Sequence, residues 1–318
     1  MQARERAILG QVADVDLRLL RIFRAVADCG GMAAAELELN IAISTISRHV
    51  KDLEERLGMV LCRRGRAGFA LTPEGERVYS AADRLLQATD AFRIDLHDIG
   101  RRMGGEVHVA LFEKIATNPA AHIDHAIARF KERAPGVSIK LHVGTIGSIE
   151  RGVMDGRFHL GLIPEHRRSE SLGYEELFDE RMLLYAGVRH PWFQSPERKR
   201  DWAALESQDL AGLDYHSPNM ELAHARSLKR AASASDQEGV AHLVLSGAYL
   251  GFLPDHYAEP FVRADRMRAV CAEVLNYRCR FSVIHRREPP PLRVAEAFRD
   301  CLLEAHKAHT EPPSAAVF

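Results

Sequence analysis

Apolar positions along this chain fall into three successive patterns: short helical stripes, one long heptad stripe, then strand-like runs set between helices. From Met32 the chain reads M-A-A-A-E-L-E-L-N-I-A-I-S-T-I-S-R-H-V-K-D-L-E-E-R-L-G, two short helical patterns with a tight break at Asn40. In the second, Ile46, Val50, Leu53 and Leu57 are spaced by four, three and four residues, one apolar stripe on a helix. The opposite face carries Ser44, Thr45, Ser47, Arg48 and Lys51, all short hydrogen-bonding or cationic groups. Such a helix, seated by a preceding one, fits the DNA major groove with its first turn toward the base edges. Gly58 stops it. Val60–Arg63 and Phe69–Leu71 then read as short strands flanking a turn that carries Arg63, Arg64 and Arg66. That predicts a hairpin wing whose arginines meet phosphates. A run of charge also suits a solvated loop, but its place directly behind a helix-turn-helix pattern favours the wing.

Thr72-Pro73-Glu74 predicts a helix start, with Thr as cap, Pro in the first position and an acid in the first turn. Val78, Ala82, Leu85, Thr89, Phe92, Leu96 and Ile99 follow at alternating steps of four and three, a heptad seam. A helix lying on its own core would show the same stripe. Its regularity favours pairing between two subunits, and Ala82 and Thr89 weaken it enough that other contacts are expected too. Beyond Glu106 the pattern is strand (107–111), helix (122–130), strand (138–143), helix (147–155), then a strand within D-G-R-F-H-L-G-L-I-P. That alternation predicts a parallel sheet in an α/β domain. F-D-E-R-M-L-L-Y-A at 178–186 is expected to begin a second lobe. L-V-L-S-G-A-Y-L-G-F-L-P at 243–254 reads as helix, Gly turn and strand; 279–285 as a strand and 292–303 as a helix that rejoin the first lobe.

With 318 residues the chain has room for two or three domains with substantial cores. Its net charge of −1 excludes a polyanion binder by bulk charge, so DNA affinity must come from the local basic patch around Arg48–Arg66. Five cysteines, Cys29, Cys62, Cys271, Cys279 and Cys301, form no C-x-x-C pair and no metal-ligand spacing, which points to reduced thiols. Cys271 and Cys279 are open to a redox pairing, with buried packing the simpler reading. Sixteen histidines include no H-E-x-x-H, and no G-x-S-x-G, P-loop or dinucleotide fingerprint is present. No catalytic group, metal or cofactor is therefore expected. The opening M-Q-A-R-E-R is not a signal peptide, and no apolar run reaches the roughly 18 residues of a membrane span. A cytoplasmic protein is expected.

Residues 14–75 resemble the N-terminal domain of the LysR-type transcriptional regulators. The resemblance rests on D-L-R-L-L-R-I-F at 16–23, A-A-A at 33–35, S-T-I-S-R-H-V-K-D-L-E-E-R-L-G at 44–58, and L-T-P-E-G-E at 71–76. Ala33 stands where the family commonly has Ser or Thr. Ala42-Ile43-Ser44 replaces a usual Ser-Gln-Pro triplet, so the Gln that usually reads a base is Ile43 here. Residues 106–306 resemble the family's two-lobed effector domain, built like periplasmic solute-binding proteins, through A-P-G-V at 134–137, D-G-R-F-H-L-G-L-I-P at 155–164 and S-G-A-Y-L-G-F-L-P at 246–254. His159 departs from the family's Asp. The expected organisation is a winged helix-turn-helix over 14–72, a linker and dimerisation helix over 73–103, and an effector domain over 106–306. Its first lobe would be 106–165 with 270–306, and its second 166–269. The resemblance implies a homodimer through the linker helix, paired again into a homotetramer. The competing reading is a solute-binding protein or an enzyme on the same two-lobed fold.

Ligands of a parallel sheet lie beyond the carboxyl ends of strands, over helix N-termini that favour an anion. Thr145 follows one strand end and aligns with a ligand-contacting Thr of relatives that sense aromatic acids; it also suits a plain helix cap. Ser235 is expected to cap a helix of the second lobe. Glu113 and Lys114 occupy the first loop, where small hydroxyl residues are common in the family. A small organic anion between the lobes, near Thr145 and Ser235, is the expected effector, although Glu113 argues against the simplest carboxylate. His166, Arg167 and Arg168, at another strand end, read as a surface basic loop.

Overall fold

A computed structural model of the chain describes residues 12–65, 68–99, 104–195 and 199–310. The chain divides into two compact units, one up to Arg93 and one from Ile94 onward. In the first, α1 (Asp14–Asp28), α2 (Met32–Leu39) and α3 (Ile43–Leu57) precede a two-stranded hairpin, β1 (Cys62–Gly65) and β2 (Gly68–Leu71), and the helix α4 (Pro73–Ile99). The α3 stripe is buried as its spacing predicts: Ile46, Val50, Leu53 and Leu57 all lie in the core. They pack against Leu19, Ile22, Phe23 and Val26 of α1. Asn40 makes the sharp turn between α2 and α3 in the left-handed region, at φ 52°. Gly58 ends α3 at φ 68°, where a side chain would be strained.

The strands of the hairpin pair antiparallel, Cys62 opposite Leu71, and begin two residues later than Val60. Glu54 on α3 explains the offset, since its carboxylate accepts the N–H of Leu61 at 2.7 Å and of Cys62 at 3.3 Å and anchors the chain before pairing starts. Thr72 caps α4 by accepting the Gly75 N–H at 2.9 Å. Gly75 itself permits that approach, because a Cβ there would meet the Leu61 carbonyl oxygen at 2.0 Å.

The second unit is built on one sheet with the order β4-β3-β5-β11-β6-β9-β7-β8. The chain runs β3 (Gly105–Phe112), a 3-10 turn (Ile115–Thr117), α5 (Ile123–Arg133), β4 (Val137–Gly144), α6 (Ile146–Met154) and β5 (Leu160–Pro164). Next come β6 (Leu172–Gly187), α7 (Pro191–Gln194), α8 (Trp202–Glu206), β7 (Leu210–Leu213), α9 (Pro218–Ala225), β8 (Arg230–Ala234) and α10 (Gln237–Leu245). It closes with β9 (Leu250–Pro254), α11 (Asp255–Arg263), β10 (Met267–Ala269), β11 (Asn276–Arg286) and α12 (Arg293–Thr310).

Parallel β4, β3 and β5 form one lobe, and parallel β9, β7 and β8 the other. The long strands β6 and β11 run antiparallel through both, with a register shift at Phe281/Ser282. Residues 172–178, expected in the second lobe, pair with the part of β11 that also pairs with β5. The second lobe therefore starts midway along a continuous strand, which an apolar pattern cannot mark. β11 pairs with β5 and α12 packs on α5, where Phe298 meets Phe130 with ring centroids 5.1 Å apart. His159 is held neutral by burial, at a pKa of about 4, and its Nδ1 accepts the His108 N–H at 3.2 Å.

Candidate nucleic-acid interface and effector cleft

The face of α3 opposite its buried stripe exposes Ser44, Thr45, Arg48 and Lys51, with Ser47 half-buried beside them. Ile43 opens the helix and is 40% exposed. Its N–H is taken by the Glu36 carboxylate of α2 at 2.9 Å, which satisfies one of the donors a helix start leaves open. Lys51 pairs with Glu55 at 3.4 Å, both in solvent, whereas Arg48 makes no ion pair among the described residues. Arg63 is exposed on β1; the side chain of Arg64 and the whole of Arg66 lie outside the described residues. Two supports were not legible in the sequence. Asp16, fully buried, accepts from Arg56 Nε at 2.6 Å and from the Ala13 N–H at 2.8 Å, and so ties the start of α1 to α3. The Arg56 guanidinium holds its carboxyl below the usual range. Glu36 is the other: its acceptor role becomes visible only once the turn at Asn40 brings α2 back on α3.

The α4 stripe is divided between two surroundings. Ala82 is buried with Leu86 in the unit's own core, and Val78 and Leu85 pack half-buried against it. Three of the seven positions expected to face a partner thus face the subunit itself, because the heptad spacing serves either surface. Phe92 is 61% exposed; the side chains of Leu96 and Ile99 lie outside the described residues.

In the second unit, the starts of α6 and α10 border one cavity from opposite lobes. Ile146, the first residue of α6, and Gln237, the first of α10, both line it, together with Glu180, Asn219 and Tyr277. Thr145 caps α6 and accepts the Ser148 N–H at 3.4 Å. Ser235 does not cap α10. Asp236 does, accepting the Gly239 N–H at 2.7 Å, and Ser235 is exposed one residue before it. Ser and Asp cap helices about equally well, so the stretch S-A-S-D holds two adjacent candidates, and the extended backbone of Asp236 makes it the cap.

The loop after β3 crosses to the second lobe. Glu113 Oε1 accepts the Gln237 N–H at 2.7 Å, so it occupies the helix start where an anionic effector was expected. Lys114 Nζ meets Glu238 at 2.9 Å and stands 5.1 Å over the Tyr257 ring. Thr117 Oγ1 lies 2.8 Å from His256 Nδ1, whose Nε2 lies 2.9 Å from Glu180 Oε1. Burial pushes the Glu113 carboxyl up to about 7; the Gln237 N–H pulls against this and Asp236 adds to it. The cavity is about 20 Å³, room for a water-sized group. Among the described residues, no Lys or Arg lines it. His166 departs from a surface loop, since its side chain is 2% exposed beside Glu150 and the His216 ring. Arg168 is committed to Glu165 at 2.9 Å.

Comparison with known proteins gives this arrangement a lineage. Residues 100–307 match the model of the LysR substrate binding domain, and residues 17–76 that of the bacterial regulatory helix-turn-helix protein, lysR family. The chain belongs to the LysR family. The HTH-type transcriptional activator BauR of Pseudomonas aeruginosa is 38% identical over 92% of this chain and 96% of its own. The probable HTH-type transcriptional regulator LrrA of Synechococcus elongatus is 30% identical over 77% of this chain and 83% of its own. Among solved structures, full-length CbnR complexed with its target DNA covers 91% of this chain and 99% of its own at TM-score 0.63 and 21% identity. A full-length OxyR variant from Pseudomonas aeruginosa covers 96% and 100% at 0.59 and 20%. Both likenesses show the fold. This LysR-family member is thus a transcriptional regulator with a DNA-binding helix-turn-helix and an effector-binding domain. None of its five cysteines is in a disulfide, and burial pushes the Cys279 thiol well up, away from thiolate chemistry. No described helix is long and apolar enough to cross a membrane.

Proposed function

We propose that this regulator reads its operator with Ser44, Thr45, Ser47, Arg48 and Lys51 of α3, while the wing arginines Arg63, Arg64 and Arg66 grip the flanking phosphates. The observation that carries this reading is the division of α3: one face wholly buried, the other presenting hydroxyls and an arginine with no ion pair among the described residues. An effector in the interlobe cavity, at the α6 start behind Thr145 and the α10 start at Gln237, modulates that binding. Glu113 and Lys114 act there as cross-lobe contacts, and Asp236 and Gln237 take the place expected of Ser235. The protein acts as a homodimer joined through the exposed part of α4, with a further pairing of effector domains into a tetramer. It performs no catalysis and works in the cytoplasm, where its DNA is. Footprinting upstream of its own gene, followed by gel shifts with Arg48→Ala and Arg63→Ala, tests the interface. Arg48→Ala is expected to weaken the specific site by about 1–3 kcal/mol. Arg63→Ala should weaken all sequences alike and reduce the salt dependence. Unchanged binding in both variants overturns the assignment.

A further inference from the structure

The interlobe cavity has a chemical bias of its own. Gln237 lines it, is 4% exposed, and has a side-chain Oε1 with no hydrogen-bond partner among the described residues. A buried acceptor left open costs free energy and is relieved only by a donor entering the cavity. The charged group lining the cavity is Glu180, also 4% exposed, with His256 on one of its oxygens. Around the same end of α10 stand the carboxylates of Glu113, Asp236 and Glu238, against the ammonium of Lys114, already on Glu238. Tyr215 adds a buried hydroxyl without a partner among the described residues, close enough to Glu113 to feel its charge. An anion placed here meets the Glu180 carboxylate and, among the described lining residues, no lysine or arginine. A cationic N–H donor meets acceptors.

We propose that the effector carries an ammonium group, which enters the interlobe cavity as donor to Gln237 Oε1 and counter-charge to Glu180. This rests on the reading of the cavity as the effector site and reverses the expected sign of the ligand. The cavity has the size of the ammonium head alone. The rest of the molecule enters as the contacts of Glu113 and Lys114 with α10 give way, so binding is coupled to the lobe closure those contacts hold.

Calorimetry and thermal unfolding of the full chain test this with n-butylammonium and butyrate, ions of matched length and opposite charge. Butylammonium is expected to bind and raise the melting temperature, and butyrate to do neither. Gln237→Met removes the acceptor while keeping length and the backbone N–H that holds Glu113; it should weaken butylammonium by about tenfold or more. Butyrate binding that weakens in Gln237→Met or Thr145→Val would keep the cavity as the site and overturn the cation. Binding of either ion with an affinity indifferent to both substitutions would overturn the site and the proposal together. If neither ion binds in the wild-type chain up to tens of millimolar, the cavity holds water only and the cation falls; operator release in cell extract containing effector then judges the site separately. The wild-type comparison needs no variant to fold.

Discussion

At the scale of single residues, Ile43 stands where the family resemblance implies a base-reading Gln, so specificity should show there. An exposed aliphatic side chain in the first turn of the recognition helix cannot hydrogen-bond a base edge, but it can pack on the thymine methyl in the major groove. Ile43→Gln is expected to relax the preference for T·A at one position of each half-site, by about 1–3 kcal/mol, and leave the others unchanged. A selection from randomised operators reads this directly, and the same preferred sequence in both proteins would exclude the contact. Asp16 gives a stability prediction. Arg56 lowers its pKa, so the stabilisation is complete above about pH 4 and is lost as pH falls through the depressed value. Arg56→Met leaves a buried carboxylate with one partner fewer and should cost about 1–3 kcal/mol near neutrality. The loss should shrink in acid, where both proteins carry a protonated Asp16; a denaturation midpoint gap that stays constant with pH would refute the linkage. Neither Asp16 nor Glu36 could be singled out in the sequence, because their partners are remote in the chain or lie across a turn and carboxylates on helices are usually solvated.

Elements were legible where one surface decides the pattern. The α3 stripe faces one surface, the core of its own unit, and its buried residues are those the spacing gives. On α4 the same period serves two surfaces, so spacing alone could not tell the subunit's own core from a partner's seam. Ala82 and Leu86 settle the first half of the helix as internal. Under the proposed dimer, Phe92 is the described exposed apolar position of α4 that a partner would cover. Phe92→Asp is therefore expected to shift the dimer toward monomer in sedimentation while leaving the melting of the winged unit within about 0.5 kcal/mol, as for an exposed site. Ala82→Asp should do the opposite and unfold that unit. An unchanged oligomeric state in Phe92→Asp would place the dimer contact elsewhere. The capping of α10 marks the finest limit: sequence located the helix start to within one residue, but whether Ser235 or Asp236 supplies the cap depends on backbone angles that the S-A-S-D stretch does not encode locally.

Over the whole effector domain, the two lobes are joined through a carboxylate that a sequence reading could place at the mouth of the cleft but could not connect to the other lobe. Glu113 accepts the Gln237 N–H, lies within electrostatic reach of Asp236, Glu238 and Lys114, and its charge is felt by the hydroxyls of Tyr215 and Tyr257. Burial raises its pKa to about 7, so the closed form binds its proton more tightly than an opened, hydrated form with an ordinary carboxyl. Between about pH 4.3, the ordinary value, and 7, closure takes up a proton; as pH rises through 7 the buried charge must be borne and the lobes part more readily. Hydrogen exchange at the start of α10, corrected for the intrinsic rate, should therefore show less protection near pH 8 than near about pH 6. Glu113→Gln removes the titrating group while keeping an amide oxygen to accept the Gln237 N–H. Its protection should be flat across that range, and at pH 8 greater than that of the wild-type chain. An ammonium-bearing ligand would lower the Glu113 pKa, so its binding should release protons near neutrality, seen as a calorimetric enthalpy that changes with the buffer's ionisation heat. If protection in the wild-type chain is as flat as in Glu113→Gln, closure is held by Lys114 and Thr117 without Glu113, and this carboxylate has no part in the switch.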